Sequence, residues 1–476
     1  MNENSKVNST NVVLTKNNSS TKAINKGIEL LGGISRFIEK EDKVFIKTNL
    51  RAPNGFPVNV SMDSLRALII LCKEAGAKEI CVGGFPDYEV KTNTLSNALG
   101  LKSYLGKLGV ELIYLDDQIT SPFSSVDVNG KNIEYPTKVL EADKLVILNQ
   151  VSVDPLFKFT LSLLNSYSLV SSKSQKIEKI IRSGKDYLLL DQYRQDLISN
   201  ILDVFSIKKP CLVINDLFYL LEGAGPFIYK DSNLIRTGLV VSGSDALAVD
   251  LITLNLLKID LLSSDILLEA RNRGLGITNV SKINLKGEIL DASKLTVNFS
   301  VNKLSDITIN NTYLQMGRIC SGCFKEAYHL LNFMKTHLTK DLKYIRNQSM
   351  LLGENPPEPD TVENLIVFGD CAIESTKNRD FRYIQEPKKD NFIKKLRSKI
   401  RKDTSSQKEP VMKEKVNKSI VELPGCPPDI HMSLNVILKY YGKAQAPNLS
   451  FCNVLINQFN EKESEKPIKK KRGYRG

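Results

Sequence analysis

From about residue 23 onward, short apolar runs alternate with stretches of helical periodicity. Lys43-Val-Phe-Ile-Lys-Thr-Asn49 has the compact apolar pattern of a buried strand. Ser61 then precedes an amphipathic helix over 62–76, closed by Gly76 as a helix-ending residue. Further strands are predicted over Glu79–Gly83, Glu111–Leu115, Lys144–Asn149, Cys211–Asp216 and Gly238–Ser242. A lysine-bearing helical stretch over 171–205 and helices over 245–257 and 264–273 lie among or after them. Strands and helices at this spacing predict an α/β fold with a mainly parallel sheet and helices on both faces. Ile283–Ile289 and Leu295–Ser300 read as a closing hairpin.

A second αβ pattern begins near 310. Cys320 opens a helix running to about 338, and Leu342–Ile345, Asn364–Phe368 and Ile420–Leu423 read as short strands. A helix from Pro427 to Tyr441 follows. The 476 residues exceed one ordinary core. The expected organisation is a disordered tail over 1–22, rich in Asn, Ser and Thr, an α/β domain over 23–309, and a smaller αβ domain over 310–457. A basic insertion at 386–420 interrupts the second domain, and a basic tail covers 458–476.

Charge alters little once it is located. The formal net charge is +13, but residues 386–420 hold twelve Lys or Arg against five acids, and 461–476 hold seven against three. Only about +2 is left for the rest. The runs carry almost no interleaved aromatics that would stack on bases, so solvated segments are expected rather than a nucleic-acid face. No apolar run approaches the roughly 20 residues of a membrane span. The N-terminus lacks the layout of a secretory signal, and a cytoplasmic protein is expected.

Eight cysteines in such a chain are not a disulfide framework. Cys72, Cys81, Cys211 and Cys452 sit in apolar patterns, where a cysteine serves as a small hydrophobe. The other four stand among Gly and Pro: Cys320-Ser-Gly-Cys323, Gly369-Asp-Cys371 and Gly425-Cys-Pro-Pro428. Four thiolates suit the corners of a cubane iron–sulfur cluster. Cys-x-x-Cys supplies two from one turn, and glycines leave room for a bulky group. Pro427 suits the first position of a helix. Zinc is the rival cofactor, but its sites usually pair two close Cys-x-x-Cys units. Here 47 residues separate Cys323 from Cys371 and 54 separate Cys371 from Cys426. His329, His337 and His431 read as helix-face or core residues, because the thiolate set is complete without them.

In the first domain, ligands are expected beyond the carboxyl ends of the strands. Lys47, Asn49, Gly83, Gly84, Asp216 and the Glu222–Pro226 loop fall there. Lys47 would hold an anion with Asn49 orienting it, and Asp216 or Glu222 would act as a base or bind a cation. The plainer alternative makes these residues turn glycines and helix-capping acids. Asp245 is expected to cap a helix. No Gly-x-Gly-x-x-Gly follows a strand, so no dinucleotide fingerprint is present.

Two resemblances attach to these motifs. Lys47-Thr-Asn49, Asp216 with Glu222-Gly-Ala-Gly-Pro226, and Ser244-Asp-Ala-Leu-Ala-Val-Asp250 resemble, over about 40–275, the family catalogued as domain of unknown function 362. The resemblance makes an iron–sulfur module plausible and hands over no reaction. Asp154-Pro-Leu-Phe-Lys-Phe-Thr-Leu-Ser-Leu-Leu-Asn165 departs from the family pattern by lacking its histidine, with Lys158 and Asn165 standing in for its basic residue and amide. The cysteine motifs, in order and layout, resemble the proximal-cluster region of nickel–iron hydrogenase small subunits, which implies Cys320, Cys323, Cys371 and Cys426 as ligands of one 4Fe-4S cluster. Nothing supplies a catalytic large subunit.

The function expected is an electron-transfer or reductive role, as an iron–sulfur oxidoreductase. The cluster would serve a small, anionic ligand in the α/β cleft and draw on an external donor such as ferredoxin. The alternatives are a non-catalytic iron–sulfur scaffold or metalloenzyme assembly factor, and a zinc-stabilised binding module.

Overall fold

A computed structural model gives the fold. It describes residues 9–170, 191–288, 299–338, 347–359, 364–379, 381 and 419–441, apart from 54, 88, 89 and 118, with backbone alone at 419, 431 and 438–441. These residues divide into two compact units between 306 and 307.

The first unit opens with β1 (Thr10–Lys16) and α1 (Ser20–Leu30), followed by β2 (Lys43–Thr48) and α2 (Met62–Glu74). Next come β3 (Glu79–Gly83), α3 (Thr92–Leu99), α4 (Leu101–Lys107) and β4 (Glu111–Ile113). A β5–β6 ribbon (Phe123–Val128, Lys131–Pro136) leads through α5 (Thr137–Glu141) into β7 (Lys144–Gln150). The small pair β8 (Ser152–Asp154) and β9 (Lys158–Thr160) precedes α6 (Ser162–Ser166) and α7 (Gln192–Ile207). Then follow β10 (Leu212–Gly223), β11 (Ser232–Gly243), α8 (Ala246–Leu256), α9 (Asp265–Asn272) and β12 (Ile283–Gly287).

Eight strands form one sheet in the order β12-β1-β11-β10-β7-β2-β3-β4. It is mostly parallel: only β11 runs against its two neighbours, β1 and β10. Strand alternation sends Phe45, Ile147 and Val213 into one core with α6, α7 and α8. Ile46, Leu148 and Ile214 enter the other core with α1, α2 and α4. Helix α2 shows why such helices form: Leu65, Leu68, Ile69 and Cys72 recur at helical spacing and are all fully buried.

The topology also marks a position. From β2 the chain winds outward to β3 and β4 on one side, and later resumes on the other side with β7 and β10. The winding direction therefore reverses between β2 and β7. In open α/β sheets ligands bind at the carboxyl ends of strands at such a switch point.

Two expectations are corrected. The tail expected over 1–22 contains β1, hydrogen-bonded between β11 and β12, with Val12, Val13 and Leu14 buried. Its Asn and Thr flanks hid a three-residue apolar centre that the sheet needs. Ile283–Gly287 joins the sheet as a parallel partner of β1 rather than forming a hairpin, and the expected partner run lies largely outside the described residues.

The second unit has β13 (Thr312–Met316), α10 (Ser321–His337), β14 (Gln348–Leu352) and β15 (Asn364–Phe368). It closes with α11 (Asp370–Thr376), β16 (Ser419–Leu423) and α12 (Ile430–Tyr441). The four strands form a wholly parallel sheet in sequence order. The expected strand Leu342–Ile345, residues 171–190 of the lysine-bearing stretch, nearly all of the basic insertion and the whole basic tail lie outside the described residues.

Candidate functional site

Because all four strands of the second unit run the same way, their carboxyl ends share one edge, and that edge carries the cysteines. Cys320 caps α10 after β13, and Cys323 lies in its first turn. Cys371 sits in α11 immediately after β15, and Cys426 follows β16. Cys320 and Cys323 are buried, while Cys371 and Cys426 are half-buried. The Cys323 thiol is pushed far up by its hydrogen bond with Cys320 and by burial, and it also feels the charges of Cys320, Cys371 and Cys426. The four sequence-predicted cysteines therefore lie on one edge of this sheet, near enough for Cys320, Cys371 and Cys426 to act on the Cys323 thiol.

Glycine is required where the backbone passes the Cys323 sulfur. Gly369 has φ +90°, and a Cβ there would stand 3.2 Å from the Cys323 sulfur. Asp370 ties the β15 and β16 loops together: its N–H donates to the Gly425 carbonyl at 3.0 Å, and its carboxylate accepts from the Gly425 N–H at 2.7 Å. His329 is buried beside the Tyr328 ring, and His337 packs on Phe333. The side chain of His431 lies outside the described residues.

Among the described residues, no cysteine is in a disulfide. Cys72 and Cys81 are buried, and burial pushes the Cys72 thiol up to about 12 and that of Cys211 up to about 11, as expected of inert core thiols; Cys452 lies outside the described residues. One other group offers potential ligands: Glu79, Cys81 and Glu111 place their ligand atoms within 4.8 Å of one another. Lys138 occupies that group, 2.8 Å from Glu79 and 4.0 Å from Glu111, which makes it an ion-pair network.

At the switch point of the first unit, Lys47 is wholly buried. Its Nζ donates to the Thr48 carbonyl and to Asn165 Oδ1, both at 2.8 Å. Burial, reinforced by the Arg51 guanidinium and partly opposed by Asp87, lowers its pKa from 10.5 to about 7. Gly84 lets the lysine lie there, since a Cβ would meet Thr48 O at 2.8 Å and Nζ at 3.0 Å.

The same face of the sheet carries Asn149 and Asn215, register partners on β7 and β10. Asn149 Nδ2 donates to Asn215 Oδ1 at 2.9 Å and to the Thr160 carbonyl at 3.1 Å. Asn215 Nδ2 passes on to Asp250 Oδ1 at 2.9 Å. Asp250 also accepts from Ser162 N, Ser162 Oγ and Leu163 N at 3.0, 2.8 and 3.1 Å, which pins the start of α6 and so the position of Asn165. Burial lifts the Asp250 carboxyl from 3.8 to about 6 against the pull of those donors. Arg51 closes the group through Asp87 Oδ2 and Thr160 Oγ1, each at 2.9 Å.

The other expected residues lie elsewhere. Asp216 is buried on the α2 side of the sheet, accepting from Ser64 Oγ at 2.5 Å and Phe218 N at 2.8 Å, and burial raises its pKa. Asn49 accepts from Gln150 N at 2.7 Å and joins the ends of β2 and β7. Glu222 is six residues past Asp216 on the long β10, roughly 20 Å away at strand rise, and engages Asn233 and Ser300. Lys158 is exposed and donates to Ser263 Oγ, so it does not stand beside Lys47. Asp245 caps α8, accepting from Ala248 N at 3.0 Å. Sequence reasoning missed Arg51, Asn149 and Thr160; the polar Asn149-Gln150 pair closing an apolar strand was the available signal.

The family model for a domain of unknown function (DUF362) matches residues 44–255. That span runs from β2 into α8 and includes every residue of the switch-point group, while the cysteine edge lies beyond it. No curated protein matches the chain. Among the described residues, no helix is long and apolar enough to cross a membrane.

Proposed function

We propose that Cys320, Cys323, Cys371 and Cys426 hold one 4Fe-4S cluster, and that the protein uses it in an electron-transfer or reductive role toward a small ligand held by the switch-point residues. The observation that carries this reading is the shared edge: four thiols from three strand ends of one parallel sheet, with Gly369 letting the backbone pass close to the Cys323 sulfur. The layout resembles the proximal-cluster region of nickel–iron hydrogenase small subunits, which supports the same ligand set. When bound, a cubane supplies one-electron redox chemistry. The chain's own contribution is to provide the thiolates, to hold them on a rigid sheet edge, and to brace two of the loops through Asp370.

Zinc is the rival occupant, but structural zinc sites usually pair two close Cys-x-x-Cys units, whereas Cys371 and Cys426 each stand alone in the chain.

The protein as proposed is cytoplasmic and takes its electrons from an external donor of the ferredoxin type, because the four cysteines account for one cluster. The test is anaerobic reduction by ferredoxin followed by reoxidation with and without candidate small anions. Ligand-dependent reoxidation is expected. A cluster that accepts electrons yet ignores every ligand would instead favour the scaffold or assembly role.

A further inference from the structure

The switch-point group contains an unmatched set of hydrogen-bonding atoms that resolves into one ligand chemistry. Asn149 and Asn165 are 0 % and 3 % exposed, and Lys47 is 0 % exposed. Among the described residues, Asn149 Oδ1, Asn165 Nδ2 and Arg51 Nε are buried with no hydrogen-bond partner. Buried polar atoms are almost always satisfied, and each exception calls for a cause. These three are linked: Lys47 binds the other atom of Asn165, while Arg51 and Asn149 both bind Thr160.

Sorting the atoms by type gives the ligand. Asn165 Nδ2 and Arg51 Nε are donors, and an ammonium on Lys47 keeps one N–H after bonding Thr48 O and Asn165 Oδ1. Three donors within one hydrogen-bonded group of side chains, two of them on cationic groups, suit an anionic oxygen pair. Asn149 Oδ1 is an acceptor and requires a donor on the same ligand. We propose that this site binds a small 2-hydroxy carboxylate, its carboxylate taken by Lys47, Arg51 and Asn165, and its hydroxyl donating to Asn149 Oδ1. The inference rests on the reading that the switch-point residues hold the ligand, and supplies its chemical class.

The pairing discriminates because a site built to accept a hydroxyl hydrogen leaves Asn149 Oδ1 unpaired when the hydroxyl is missing. Binding should also draw in protons. The charged groups that act on Lys47 are Arg51, from the loop after β2, and Asp87, from the loop after β3. An arriving anion adds to Asp87 and favours the ammonium, so at pH 8.5 binding should take up about one proton.

The experiment is calorimetric titration of the full-length protein with lactate against propionate and malate against succinate, at pH 8.5 in two buffers of different ionisation heat. The expected result is saturable binding, at least tenfold tighter for one hydroxy acid than for its deoxy partner, with proton uptake. Asn149→Ala should erase the difference, and Asn165→Asp, which sets a carboxylate against Lys47, should weaken both members. Equal affinity within each pair, or no saturable binding because the atoms are met by trapped water only, overturns the proposal; the wild-type comparison decides this even where a variant fails to fold. Iron is measured on the same samples. A preparation that holds near-stoichiometric zinc and no iron, yet still separates lactate from propionate, sinks the redox reading and leaves this one standing.

Discussion

Asp370 and Gly425 hold each other by two hydrogen bonds, main chain to main chain at 3.0 Å and carboxylate to N–H at 2.7 Å. Each is the immediate neighbour of a cysteine, Cys371 and Cys426. Fifty-four residues separate those cysteines in sequence, yet one side chain sets their loops side by side.

The consequence is testable by removing the side chain. Asp370→Ala should release the Gly425 N–H and loosen both loops, costing about 1–3 kcal/mol of stability. Loss of iron to a chelator should become several-fold faster. Asp370→Asn, which keeps an accepting oxygen, should remain near wild type in the same chelation assay.

Gly369 makes a stricter demand. Its φ of +90° and the 3.2 Å separation of a Cβ from the Cys323 sulfur leave no place for a side chain. Gly369→Ala should cost about 1–3 kcal/mol from backbone strain alone, read by urea denaturation, and should lower the iron content of the purified protein.

Lys47 predicts a pH dependence. Its folded pKa is lowered from 10.5 to about 7, so the folded state favours the neutral amine. Stability from this group is present above pH 10.5, and it is lost as pH falls toward 7, at about 1.4 kcal/mol per unit. Lys47→Met should flatten that slope in urea titrations between pH 7 and 10.

Asp250 has the opposite sign. Its pKa is raised to about 6, so its contribution is full below 3.8 and is lost as pH rises through 6. Asp250→Ala removes four accepted hydrogen bonds at the start of α6 and at Asn215. It should destabilise the protein by on the order of 3 kcal/mol. Displacement of Asn165 should also weaken ligand binding, which an unchanged thermal shift on ligand addition would contradict.

Much of this was legible in the sequence because it depends on local chemistry. Lys43–Thr48 and Glu79–Gly83 are strands because their apolar runs are short and bounded, and Asp245 caps a helix because its carboxylate reaches an amide three residues on. The four cysteines stood out by their Gly and Pro neighbours. What was not legible depends on non-local pairing. β1 hid behind polar flanks because its partners are more than 200 residues away. Asp216 and Lys47, both predicted at strand ends, face opposite sides of the sheet, and strand parity alone does not say which side a ligand uses. Asn165 meets Lys47 only because Asp250, on a later helix, docks α6.

The central claim is tested most directly by electron paramagnetic resonance of anaerobically purified protein, reduced by one electron, with iron, sulfide and zinc measured on the same sample. The account predicts about four irons and four sulfides per chain and a paramagnetic cluster signal, lost or converted to an incomplete cluster when Cys371 or Cys426 becomes Ser. Near-stoichiometric zinc with no iron, or a full signal surviving both substitutions, would contradict it.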